Sequence, residues 1–281
     1  MSIPGLTWVS SRAEWIGRRV CRAGLTVLVV ALASTSDVAK GQPRATPPAG
    51  AIVLFDGRRG DMFVGMSGGP IDWPIEDGAL VSTPNGRRSN NIVSRLRFRD
   101  AEIHVEFLLP TSGDGNSGVF LQGLYELQIL KSSGKAELTA SDMGGVYSHF
   151  KPRVNAAREA GEWQAFDVCY RAPRRDAQGR ITAEGAITAW LNGQKIHDRV
   201  KIGAAGSKYN PYKYDTTPFL REVWQRQQRD TTGPLILQDH DNPVRFRNIW
   251  VRPLDDRAVV DDGPEASRSE PAGTSRERTN K

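Results

Sequence analysis

Short apolar runs separated by turn residues repeat along most of the chain. They are Ile52-Val53-Leu54-Phe55, Leu80-Val81, Ile92-Val93, Ile103 to Leu109, Val119-Phe120-Leu121 and Tyr125 to Leu130, followed by Phe166 to Tyr170, Ile187 to Leu191, Leu235-Ile236-Leu237 and Ile249-Trp250-Val251. About ten such runs, broken by Gly, Pro and Asn and without helices between them, predict an all-β antiparallel sandwich rather than an α/β fold. The exceptions are a connection at 155–161 and a longer one at 203–233. In the longer one, Phe219 to Gln228 reads as a short helix with Thr217 as N-cap and Pro218 at its first position.

Alternation within the runs sorts side chains onto faces. Glu102, His104 and Glu106 lie opposite Ile103, Val105 and Phe107, and Glu126 and Gln128 lie opposite Tyr125, Leu127 and Ile129. Gln238 and His240 share a face, Asp239 takes the other, and Arg245 and Arg247 point together. If these strands are neighbours, one sheet face collects amides, carboxylates, a histidine and guanidinium groups. A plain solvated face is one explanation, since the outer side of an antiparallel sheet is polar. The other is a carbohydrate face: sugar hydroxyls need paired donors and acceptors, and Trp163, Trp190, Trp224 and Trp250 offer apolar platforms for a ring.

Composition narrows the class. The chain has 281 residues, 38% hydrophobic and 25% charged, with 2 Cys, which excludes a collagen-like repeat, wholesale disorder or a disulfide-stapled miniprotein. No run of 18 apolar residues is present, so no membrane span is expected. The net charge of +6 resembles a nucleic-acid footprint until it is located. Removing Arg12, Arg18, Arg19, Arg22 and Glu14 from the totals of 38 and 32 leaves 34 basic and 31 acidic residues, a net of +3. No nucleic-acid partner is expected from that.

Those residues belong to an N-terminal segment, 1–33, with a basic start, an apolar run from Ala23 to Ala33 and a small-x-small ending at Ala31-Leu32-Ala33. This is the form of a secretory signal peptide, which implies a periplasmic or secreted protein of bacterial type. A buried helix or short anchor is the alternative, and Arg18-Arg19 leaves Sec and twin-arginine export both open. Residues 34–50 read as a polar, Pro-rich linker, 51–254 as the domain, and 255–281 as a disordered tail. With the signal removed, Cys169 alone remains and reads as a small buried hydrophobe.

Ordered words along the chain resemble one family. They begin with Leu54-Phe55-Asp56-Gly57 and Trp73-Pro74-Ile75-Glu76-Asp77-Gly78, and continue through Gly115-Asn116-Ser117-Gly118-Val119-Phe120-Leu121 and Tyr125-Glu126-Leu127-Gln128-Ile129-Leu130. Then come Gly144-Gly145-Val146-Tyr147, Gly161-Glu162-Trp163-Gln164, Trp190-Leu191-Asn192-Gly193 and Gly233-Pro234-Leu235-Ile236-Leu237-Gln238-Asp239-His240. In this order they resemble the 3-keto-disaccharide hydrolase domain family over residues 52–254. The resemblance implies a concanavalin A-like jelly-roll sandwich of two antiparallel sheets with short helical insertions. It also implies an exported enzyme acting on an oligosaccharide or glycoside already oxidised at C3, downstream of a sugar 3-dehydrogenase. A C3 ketone acidifies the C2 proton; a base removes it, the C1 substituent leaves, and water adds to the unsaturated sugar.

On this resemblance Glu126 and His240 are expected as metal ligands or the acid/base pair, with Asp239 as a further catalytic candidate. Asn116, Gln128, Gln238, Arg247 and Trp163 are the expected substrate-binding residues, and a divalent cation of unknown identity the cofactor. Glu126 could equally be a structural partner of Arg245 or Arg247, and Asp239 could orient a loop. Lys131 and Asp241 depart from the family pattern. Two other functions stay open: a non-catalytic carbohydrate-binding module, and a retaining glycosidase, whose two carboxylates stand about 5–5.5 Å apart.

Overall fold

The computed structural model describes residues 45–82, 90–203, 207, 209–214 and 216–261. The expected signal segment 1–33, residues 34–44 of the expected linker and the expected tail from 262 onward lie outside the described residues. The strands in order are β1 (Ile52–Phe55), β2 (Phe63–Gly65), β3 (Ile75–Glu76), β4 (Ala79–Val81), β5 (Ile92–Phe98) and β6 (Ala101–Leu108). Next come β7 (Ser117–Leu121), β8 (Tyr125–Ile129), β9 (Trp163–Arg171), β10 (Arg174–Arg175), β11 (Ile181–Ala183), β12 (Gly185–Leu191) and β13 (Gln194–Ile202). Helix α1 (Pro218–Asp230) precedes β14 (Gly233–Leu237), β15 (Arg245–Pro253) and β16 (Val259–Val260).

Two antiparallel sheets form a jelly-roll sandwich, and β10 and β11 pair apart from them as a two-stranded hairpin. Sheet A runs β13-β12-β9-β6-β15-β4-β3 with β1 also on β15, and sheet B runs β16-β5-β14-β7-β8 with β2 also on β5. Between them lies one apolar core, in which Phe107 meets Phe166 at 4.8 Å between ring centroids and Trp73 meets Phe246 at 5.8 Å. The inward residues are those that alternation selected: Ile103, Val105 and Phe107 from β6, Tyr125, Leu127 and Ile129 from β8. Their removal from water is the main force joining the sheets.

The four polar segments do not share a face. Strands β6 and β15 pair in sheet A, whereas β8 and β14 belong to sheet B, so the expected single polar face divides into two on opposite sides of the molecule. Non-local pairing decides this, and alternation within a strand carries no information about it.

On sheet B the register aligns Val64, Val93, Ile236, Phe120 and Glu126 in one row across the sheet. Helix α1 lays Leu220 and Val223 over the apolar members of that row, together with Tyr212. Thr217 caps the helix by accepting from Leu220 N at 3.1 Å, and Pro218 opens it, where its missing N–H costs nothing. The helix leaves the β8 end of the row, and the row of Gln238, Gly118 and Gln128 beside it, for other uses.

Two further expectations need correction. The chain beyond 254 is not tail from its first residue: Val259 and Val260 pair with β5, and Asp261 accepts from Arg97 Nε at 2.9 Å. Cys169 is half-buried on the outer face of sheet A opposite Glu102, not in the core.

Candidate functional site

Glu126 is placed by β8 with its carboxyl on the outer face of sheet B, and only 3% of the residue is exposed. Diagonally across on β7 is Gly118, the partner of Gln128, and any Cβ there would collide with Glu126 Oε1, so the carboxyl lies in the space a side chain would fill. Neither Arg245 nor Arg247 reaches it. Arg245 pairs with Glu76 at 2.7 Å and Arg247 with Glu106 at 2.6 Å, both in sheet A. Among the described residues nothing hydrogen-bonds to the carboxyl, and burial alone pushes its pKa up to about 8. A carboxyl in this state keeps its proton at neutral pH and becomes a strong base on losing it.

Amides surround it. Gln128 Nε2 donates to Asn116 Oδ1 at 2.8 Å and to Ile129 O at 3.1 Å, which turns the Asn116 side chain toward the same row. Gln238 enters that row through its backbone N–H, which donates to Gly118 O at 2.9 Å. Its side-chain Oε1 is buried with no partner. Lys131, one of the departures, donates to Thr111 O at 2.8 Å and Gly113 O at 2.5 Å and so ties down the loop that carries Asn116. Asn242 fastens the same loop by accepting from Gly115 N at 3.1 Å and donating to His240 O at 2.8 Å.

The structure therefore brings together Glu126, Gln128, Asn116 and Gln238, and leaves four candidates apart. Asp239 faces away, buried at 3% exposure; it accepts from Asp241 N at 3.2 Å, while its own N–H donates to Asn91 Oδ1 at 2.9 Å. It orients the β14–β15 turn, and burial raises its pKa despite that N–H bond. His240 is exposed on the same turn. Gln238, which pairs with Gly118, stands between His240 and the row of Glu126 along the chain, and β7 separates the two strands. Among the described residues no three His, Cys, Asp or Glu side chains cluster as metal ligands. The donor set expected for a divalent cation is therefore not assembled among the described residues, and no step below runs through it.

Arg247 and Trp163 lie on sheet A, where the guanidinium stacks on the indole at 3.8 Å from the ring centroid. They belong to a separate cluster there. His104 Nδ1 meets Asp167 Oδ1 at 2.7 Å, His104 stacks on Trp250 at 5.2 Å, and Asn248 donates to Glu106 Oε1 at 2.8 Å. Burial lowers the His104 pKa, but hydrogen bonds to Asp167 and Glu106 outweigh it and leave it raised. Burial likewise raises that of Glu106, and the bonds from His104, Asn248 and Arg247 bring it below the usual range. This face is a network in which charges are matched.

Sequence reasoning missed the tyrosines beside Glu126. The segment 144–147 runs along the edge of β8, with Tyr147 N donating to Glu126 O at 2.9 Å and Gln128 N to Gly145 O at 2.9 Å. Tyr147 then meets Tyr209 edge-to-face at 6.2 Å, and Tyr209 meets Tyr214 at 5.6 Å. Tyr209 and Tyr214 are 41% and 46% exposed. The available signal was the family word ending in Tyr147 and the long connection carrying the other two. The tryptophans taken for platforms are elsewhere: Trp190 lies near Lys195 on sheet A, and Trp224 packs on Tyr212.

A jelly-roll sandwich carrying a buried carboxyl, amides and exposed aromatic rings on one sheet face suits a carbohydrate-acting enzyme. The chain belongs to the 3-keto-alpha-glucoside-1,2-lyase-like domain family, whose sequence model matches residues 50–252. Among solved structures it is similar to a protein of Parabacteroides distasonis provisionally assigned as a glycosyl hydrolase. The two are 28% identical with a TM-score of 0.61, over 78% of this chain and 97% of the other. A second protein of that organism with the same provisional assignment shares the fold at 20% identity and a TM-score of 0.50, over 73% and 94% of the two chains. No curated protein matches the chain.

Proposed function

We propose that the protein is an exported enzyme that cleaves 3-keto-glycosides by β-elimination, with Glu126 as its base and acid. The observation that carries this reading is the Glu126 carboxyl, buried without an ion or hydrogen-bond partner among the described residues and shifted to about 8. The ionised carboxylate takes the proton from C2, next to the C3 ketone. The electron pair left on C2 forms the C1–C2 double bond through the enolate as the C1–O bond breaks. Glu126, now protonated, returns the proton to the departing oxygen. Water then adds across the double bond to release the free 3-keto sugar. The side-chain amides of Asn116 and Gln238 supply neutral donors for the enolate oxygen, Gln128, whose two N–H bonds already go to Asn116 and Ile129, offers its oxygen as an acceptor for a ring hydroxyl, and the Gln238 Oε1, without a partner among the described residues, is completed by a sugar hydroxyl.

Classical double displacement is less well supported. It needs a second carboxylate close to the first. The outer-face neighbours of Glu126 on β7 and β14 are Gly118, Phe120, Ile236 and Gln238, and on its own strand Gln128. The substrate would come from a dehydrogenase that oxidises C3.

The test is incubation of the purified protein with chromogenic 3-keto-glucosides of both anomers and with their 3-hydroxy parents. Release is expected from the ketones alone, in D2O with deuterium at C2 of the product. Equal release from the 3-hydroxy parents would make the enzyme a conventional glycosidase, and release from neither would remove the enzymatic reading.

A further inference from the structure

At the end of sheet B beyond Glu126 lies a cavity of about 250 Å³ that the chemistry above does not use. Its apolar wall is Leu124 with the Tyr212–Trp224 ring pair, whose centroids stand 5.0 Å apart. Leu124 precedes β8 and packs in the cluster under α1, about 7 Å along the chain from Glu126 at an extended rise of ~3.4 Å per residue. The polar wall is Arg175, Lys213, Gln228 and Asn210.

The acceptors in that wall are mostly taken. Asn210 Nδ2 donates to Ser207 O at 2.6 Å and its Oδ1 accepts from Tyr212 N at 3.2 Å, while the Tyr212 hydroxyl donates to Gln227 Oε1 at 2.8 Å. What still faces the space is chiefly donors: the Arg175 guanidinium, which gives one N–H to Gly179 O at 2.9 Å, the Lys213 ammonium and the Gln228 amide. No carboxylate is among the described lining residues. Two cations without an acid between them select an anion, and the planar fork of arginine matches a carboxylate. The volume lies just below the usual ~300–1,000 Å³ of small-molecule pockets, so it suits one ring rather than two.

We propose that this cavity binds a single six-membered ring bearing a carboxylate, its anion on Arg175 and Lys213 and its ring face against Trp224 and Leu124. A sugar acid and an aromatic acid share that chemistry. The assignment does not rest on catalysis by Glu126.

Binding is measured by calorimetry and tryptophan fluorescence on the full-length protein, with glucuronate and 4-hydroxybenzoate as probes and glucose and 4-hydroxybenzamide as their neutral counterparts. At least one acid is expected to bind about tenfold or more tightly than its neutral counterpart, and to weaken as salt rises. Binding of glucuronate alone identifies a sugar acid, binding of the benzoate alone an aromatic acid, and binding of both the shared carboxylate. Arg175→Gln and, separately, the exposed Lys213→Gln are each expected to weaken the acid about tenfold and leave the neutral probe unchanged. Since Arg175 also holds its hairpin, Lys213→Gln keeps the test open should Arg175→Gln fail to fold. Equal binding of acid and neutral probe, binding of neither, or unchanged acid binding in the folded variants would overturn the proposal. Each of these results is independent of whether 3-keto-glycosides are cleaved.

Discussion

The two outer faces of the sandwich hold similar residue types in opposite states. On sheet A, Glu106 is buried at 4% exposure but receives Arg247 at 2.6 Å, Asn248 at 2.8 Å and His104 at 3.6 Å, and its pKa falls. On sheet B, Glu126 is buried at 3% exposure and receives nothing from the described residues, and its pKa rises to about 8. Burial is the same; pairing differs. A matched network holds itself together, whereas an unmatched buried carboxyl is a cost to the fold that a ligand or a reaction must explain.

The largest contrast follows from removing each charge. Glu126→Gln is expected to lower turnover of a 3-keto-glycoside by about 10³-fold, within the usual range of general acid–base catalysis, while thermal unfolding shows no loss of stability. Glu106→Gln is expected to do the reverse, destabilising the fold by about 3 kcal/mol in urea titration because Arg247 and His104 lose their buried partner. Its turnover per folded molecule should stay within a few-fold. If Glu106→Gln abolished turnover and Glu126→Gln did not, the catalytic face would be sheet A.

Acidity separates the faces next. The folded Glu126 pKa of about 8 lies above the unfolded 4.5, so the folded state holds a proton that the unfolded chain has released between those values. Stability from this group is fully present below pH 4.5 and is lost as pH rises toward 8, at a cost of about 3 kcal/mol by pH 7. Urea midpoints of wild type and Glu126→Gln should therefore diverge from pH 5 to pH 8, the variant becoming the more stable, while wild-type kcat/KM climbs toward pH 8 as the carboxylate forms. His104, raised above 6.5, contributes stability present below that value and lost as pH rises through the folded one. Glu106, lowered below 4.5, contributes stability present above that value and lost as pH falls through the folded one. A pH-independent difference between wild type and Glu126→Gln would deny the shift.

Gln238→Leu sharpens the comparison at a smaller scale. Its Oε1 is buried without a partner, so stability should change by less than about 1 kcal/mol, whereas turnover should fall ~10-fold with the loss mainly in KM. Smallest of all is Glu76→Gln at the rim of sheet A. Its side chain is 52% exposed in the pair with Arg245, so a change under about 0.5 kcal/mol is expected in the same urea titration.

The strands were legible because alternation is a local property: Tyr125, Leu127 and Ile129 declare an inner face wherever β8 sits. The helix was legible for the same reason, since Thr217 and Pro218 mark its start within the sequence itself. Of the candidate residues, Glu126, Gln128, Asn116 and Gln238 lie together on sheet B. Arg247 and Trp163 lie apart from them because their strands pair in the other sheet, and His240 is exposed on the turn that follows Asp239. The Tyr147–Tyr209–Tyr214 series was missed because its members come from two segments that meet only in space.

By itself the sequence determined the class of fold and which side chains of each strand face outward, because turn chemistry and period-two burial act over a few residues. Tertiary structure decided which outward carboxylate is paired and which is left without a partner among the described residues. That choice depends on strands far apart in sequence: Arg247 on β15 reaches Glu106 on β6, while Gly118 on β7 brings no side chain to Glu126 on β8.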